Sequence, residues 1–189
     1  MSETETNKLN AKFHSPLPFI LKLRNLVFGS RKPGIYTRLT FFVNLVCLLI
    51  FSLWSAISYF AIVYRALFLQ EKGVDVEAII EARGLALGFD SGEFIQTLMT
   101  FHGVSMICWG FVFVGLILLW RKSGHFAYLF FGGTLFYFGM MVFYVGFDYY
   151  LEDTSGFDKV LFLIMNLNTL FYFFFIHRSE DEEKISFFG

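Results

Sequence analysis

The sequence predicts an all-α integral membrane protein with four transmembrane helices. Three observations carry this. The chain of 189 residues is 56% hydrophobic and only 16% charged, where a soluble domain is about a quarter charged. It holds 28 phenylalanines, and its mean hydropathy is +0.59, more apolar surface than a water-soluble chain of this length can bury. Finally, four segments reach the roughly 20 mostly apolar residues that cross a bilayer as a helix. They cover about 39–69, 94–120, 126–150 and 160–176 within a membrane domain of 39–176.

Residues 1–38 form a basic, amphipathic N-terminal segment. Polar residues dominate its start, so no cleavable signal peptide is expected and the first span acts as an uncleaved anchor. "PLPFILKLRNLVFG" precedes the breaker "SRKPG". This reads as a short helix in the cytoplasmic membrane interface, its basic residues favouring anionic lipids. A simple positive-inside anchor explains the same residues.

Lysine and arginine set the orientation. Residues 1–38 carry Lys8, Lys12, Lys22, Arg24, Arg31, Lys32 and Arg38, and the second connection carries Arg121 and Lys122. The first connection has Arg65, Lys72 and Arg83 against six acidic residues, and the third has Lys159 against Asp148, Glu152, Asp153 and Asp158. Both termini, including the acidic tail 177–189, are therefore expected in the cytoplasm. The expected location is an inner (cytoplasmic) or plasma membrane.

"DVEAIIEARG" in the first connection has a helix start and stop. Asp75 caps it, Glu77 lies in its first turn, Arg83 in its last, and Gly84 ends it, giving an outer amphipathic helix over 75–84. Val76, Ile79 and Ile80 share a face. That face docks either on the chain's own bundle or on a partner. "DSGE", Asp90 to Glu93, has the spacing of a capping box that opens span two.

Gly132, Gly139 and Gly146 recur every seven residues in span three, and Gly103 and Gly110 do so in span two. Seven residues drift only about 20° on a helix. Small residues let helix backbones approach in lipid. The spacing predicts that spans two and three form a tight hairpin along these glycines.

His102 in "LMTFHGVSMICWG" is the unusual polar residue of span two. Asn166, Asn168 and Thr169 of span four, Tyr144 of span three and Ser58 of span one fall in the same outer half. They predict one intramembrane polar layer. Such a layer either ties helices together by hydrogen bonds or lines a ligand pocket. Haem ligation is disfavoured, because His14, His125 and His177 lie outside the spans or at their far ends. Asn166 and Asn168 are about 200° apart on a helix, so one of them is expected to face another protein, a headgroup or water.

No catalytic motif appears. No Asp or Glu lies centrally in a span, and neither Cys47 nor Cys108 belongs to a CxxC pair. No metal, cofactor, nucleic acid or enzymatic activity is implied. The preferred expectation is a non-catalytic accessory or assembly subunit of a larger membrane complex, with other integral membrane proteins as partners. The alternative is a small membrane binder of a quinone, lipid or other hydrophobic ligand through the layer around His102.

Overall fold

A computed structural model describes Lys22, Asn25, Gly29 and residues 33–177. The segment expected to form an interfacial N-terminal helix, apart from Lys22, Asn25 and Gly29, and the acidic tail beyond His177 lie outside the described residues.

The described chain is helical, with no strand. Its elements are α1 (Ile35–Val63), α2 (Arg65–Lys72), α3 (Val76–Ala86), α4 (Glu93–Trp120), α5 (Phe126–Met140), α6 (Phe147–Glu152) and α7 (Gly156–Phe171). A π-helical turn, Met141–Val145, continues α5, and a second, Tyr172–His177, continues α7. Four helices are long and apolar enough to cross a membrane: Ile35–Val63, Glu93–Trp120, Phe126–Val145 and Gly156–Ile176. They are spans one to four, and the protein is a multi-pass membrane protein on that ground.

Neighbouring spans run antiparallel. The paired residues show it: Ser55 meets Trp109, Gly115 meets Phe130, and Thr37 meets Tyr172. Span two packs along both span one and span three, and span four packs against spans one and three. Spans two and three are joined by a tight turn. Lys122 takes a left-handed conformation, with φ 57°. Its amide donates to the Leu119 carbonyl and the Ser123 amide to the Leu118 carbonyl. This is the paired bonding that closes a helix C-terminus, with lysine where glycine is usual.

The spans differ from their expected limits in two places. Span one stops at Val63, where the helix breaks at Tyr64 and restarts as α2, with no buried residue. Span three stops at Val145, because Gly146 has φ 99°, a conformation costly for any residue with a Cβ. The chain turns there into α6.

The hairpin of spans two and three is tight, but not along the predicted glycines. A methyl group on Gly110, Gly132 or Gly139 would meet nothing within 4 Å, and on Gly103 it would only touch the Tyr59 ring at 3.5 Å. The close approach is at Gly115 and Gly133. A Cβ at Gly133 would lie 2.8 Å from Val112 and 3.1 Å from the Cys108 carbonyl oxygen, and one at Gly115 2.9 Å from the Phe130 nitrogen. The sevenfold stripe runs along one face, and that face points away from span two. Gly133, one residue on from Gly132, is rotated by about 100° into the contact.

α3 is capped by Asp75, whose carboxylate accepts from the Ala78 amide at 3.0 Å. Its apolar face is split. Ile80 packs into the apolar cluster built on Ile62, Phe94 and Val145. Gly84 does not end the helix as expected: α3 runs on to Ala86, and Gly84 inside it lies so close to Phe94 that a methyl there would collide. Val76 is half-buried, while Ile79 is 63% exposed. The expected face of Val76, Ile79 and Ile80 thus turns Ile80 onto the chain's own bundle and Ile79 away. The capping box at Asp90 is not formed. Gly92 stands at the N-cap of α4 with φ 80° and no side-chain cap.

Candidate functional site

Spans one and four hold each other at one end only. Towards the connection 121–125, Thr37 and Tyr172 share a hydroxyl–hydroxyl hydrogen bond of 3.1 Å. Asn44 donates to the Thr169 hydroxyl at 2.6 Å, and the Asn168 amide donates to the Asn44 carbonyl oxygen at 3.2 Å. The Thr169 hydroxyl donates in turn to the Met165 carbonyl. Thr37, Thr40 and Asn44 repeat at helical spacing, so one stripe of span one supplies this polar ladder. Thr37, Asn44, Asn168, Thr169 and Tyr172 bond through their side chains, and Thr40 takes part through its carbonyl, which accepts from Asn168 at 3.5 Å.

Towards α3 the same two spans part. A cavity of about 540 Å³ opens between Leu53, Trp54 and Ile57 of span one and Phe157 and Phe162 of span four. Its back wall holds Phe101 and His102 of span two with Tyr137 and Met141 of span three. Phe51 and Phe162 meet edge to face, ring centres 6.2 Å apart, and both line it. Trp54 and Phe157 on its rim are 62% and 63% exposed. Trp54 sits well inside a membrane-spanning segment, so the opening faces lipid.

His102 is 6% exposed. Its Nδ1 is fully enclosed without a hydrogen-bond partner. The ring's recorded neighbour is Phe101, 5.1 Å away between centroids. Phe101 touches Tyr137 on its other side at 5.6 Å. The cavity wall therefore carries an imidazole and a phenol on either side of one phenylalanine.

Several charged groups at the end of the bundle near α3 are engaged. Arg83 of α3 donates to Glu152 at 2.7 Å and to Asp153 at 2.9 Å. These two carboxylates, Glu152 foremost, raise the Arg83 guanidinium above its ordinary value. Ser155 donates to Asp158 at 2.8 Å and caps α7 by accepting from the Asp158 amide. Lys159 donates to the Leu151 carbonyl at 2.9 Å and lies 5.2 Å from the centre of the Tyr150 ring. Arg65 pairs with Glu77 at 2.7 Å and ties α2 to α3. Tyr149 is pushed above its ordinary pKa, by burial first and then by Asp153 and Asp158.

The expected single polar layer divides into three parts. Asn168 and Thr169 belong to the ladder with Asn44. Asn166 accepts from Thr134 of span three at 3.0 Å and donates to the Phe162 carbonyl at 2.8 Å. His102 stands apart from all of these. Ser58 is half-buried, and Tyr144 is 39% exposed with its ring against Phe143; neither reaches the others. The two asparagines do face opposite ways, but both find partners in the chain. Span four lies in the groove between spans one and three, so the two asparagines reach different neighbours, while its outer face, with Leu163, Leu167 and Phe171, stays exposed. Sequence reasoning missed the ladder residues Thr37, Thr40 and Asn44, although their spacing was readable. It also missed Tyr137 as a companion of His102.

Compared with family models, curated proteins and solved structures, the chain matches none.

Proposed function

We propose that this protein binds a hydrophobic small molecule in the cavity between spans one and four. The observation that carries this reading is His102: a buried imidazole without a partner, on the wall of a cavity that opens to lipid. Nδ1 is sealed from the cavity, so a ligand there would bond to the ring's other nitrogen, which has no hydrogen-bond partner in the described chain. An unpaired polar group away from water costs free energy, and a ligand with a complementary polar group would offset that cost. The volume lies within the about 300–1,000 Å³ range of small-molecule sites. Asn44, Asn166, Asn168 and Thr169 are tied across helices by hydrogen bonds, and His102 makes no such tie, so a purely structural role would leave it unexplained.

In this reading the protein sits in an inner (cytoplasmic) or plasma membrane with both termini in the cytoplasm. The cavity mouth, α3 and α6 then face outward. The lysine and arginine bias supports this orientation. The argument for an accessory subunit drew on an asparagine of span four facing out of the bundle. With Asn166 and Asn168 both bonded inside, the ligand reading has the stronger support.

The test is extraction of small molecules from protein purified gently from its native membrane. A stoichiometric apolar compound, retained by the wild type and lost in His102→Leu, is the expected result. Protein partners at fixed stoichiometry with no such compound would favour the accessory role instead.

A further inference from the structure

Resting on that binding reading, we infer that the ligand is an uncharged, planar, quinonoid molecule on a hydrocarbon tail. Charge decides the first property. Among the described residues, Lys159 is the one lysine or arginine that lines the cavity, and it donates to the Leu151 carbonyl and lies over the Tyr150 ring. Asp153 is held by Arg83, and Asp158 by Ser155. These charges stand near the start of span four, whereas Phe101, His102, Tyr137, Phe138 and Met141 on the back wall bring no ionised group to pair with an anionic phosphate or a cationic head lodged there. Either ion would lose its hydration without compensation.

The walls decide the second. Trp54, Tyr137, Phe162 and Tyr150 offer ring faces and edges to the cavity, which suit a flat ring by offset stacking or edge contact. His102 and Tyr137 have no hydrogen bond to the rest of the described chain. A neutral imidazole and a phenol each bring one N–H or O–H donor. Two donors around Phe101 match the carbonyl oxygens of a quinone ring.

The gap decides the third. Leu53, Ile57 and Phe157 line the opening towards lipid, so an apolar tail can leave the head in place and run into the bilayer. The inference concerns binding alone; no electron transfer is part of it.

The experiment titrates purified protein in nanodiscs with three probes: decylubiquinone, phosphatidylglycerol and tetraphenylphosphonium. Saturable one-to-one binding of decylubiquinone is expected, without competition by the other two. His102→Leu should weaken it about tenfold, the effect of losing one hydrogen bond, and His102→Gln should keep most of it. Trp54→Leu, at an exposed rim position that the core does not need, should weaken it while thermal stability stays unchanged. Saturable binding of the phospholipid or the cation in place of the quinone overturns the head-group inference and leaves the cavity reading standing. Saturable binding of none of the three overturns both. Quinone binding that is unchanged in both His102→Leu and Trp54→Leu places the quinone elsewhere and overturns the inference.

Discussion

The amide of Asn44 donates to the hydroxyl of Thr169 at 2.6 Å, across the interface of the first and last spans. The pair closes the bundle at the end opposite the cavity. Asn44 also accepts from Asn168, so its side chain serves two residues of span four. Asn44→Ala should lower stability in detergent by roughly 1–2 kcal/mol, in the range of interhelical hydrogen bonds in membranes. A double-mutant cycle with Thr169→Val, read by thermal unfolding, should show coupling. Strict additivity would mean that the ladder is not a tie.

Gly133→Ala should destabilise by about 1–3 kcal/mol, as overpacking does, because its Cβ would press on Val112 and the Cys108 carbonyl oxygen. Gly139→Ala should stay within about 0.5 kcal/mol of the wild type, since a methyl there meets nothing within 4 Å. Unfolding curves of the two variants decide the matter. Equal losses would return the seam to the sevenfold stripe.

The contrast between these glycines shows where the sequence could be read and where it could not. The four spans were legible because twenty-residue apolar runs admit little else. Helix α3 was legible from its cap and charges, down to Asp75. The choice among glycines was not, because periodicity marks a face without saying what lies opposite. Gly132 and Gly133 are adjacent, and only packing distinguishes them. Span three was read as continuous to Tyr150, since hydropathy does not register the left-handed turn at Gly146. His102 was singled out by its unusual setting. Its isolation was hidden, because grouping it with Asn166 and Asn168 relied on depth alone, and residues at one depth can face different seams.

Arg83 clamps α3 to the end of α6 through Glu152 and Asp153, of which Asp153 lines the cavity. Arg83→Gln should raise amide hydrogen exchange in Val76–Ala86 while the spans stay protected. High salt should produce a smaller change in the same direction, since the pair is exposed and screened. Alkaline pH should not, because the two carboxylates raise the guanidinium above its already high ordinary value. Unaltered exchange in α3 in the Arg83→Gln variant would assign its position to Ile80 and Gly84 alone.

Reporter fusions at residues 5 and 185 should both read cytoplasmic, and one at residue 80 external, from the bias of Lys and Arg between the connections. An external reading at residue 185 would overturn the four-span orientation, and with it the outward-facing cavity.

The central claim is that the gap between spans one and four holds a specific molecule and not bulk lipid. Photo-crosslinking in the native membrane tests it most directly. A benzoylphenylalanine at Leu53 places the probe at the cavity lining, and one at Leu135 of span three, exposed and outside that lining, samples the surrounding bilayer. The account predicts a single dominant small-molecule adduct at position 53, lost in the His102→Leu background, and a mixture of membrane lipids at position 135. The same lipid mixture in the same proportions at both positions, unaffected by His102→Leu, would contradict it.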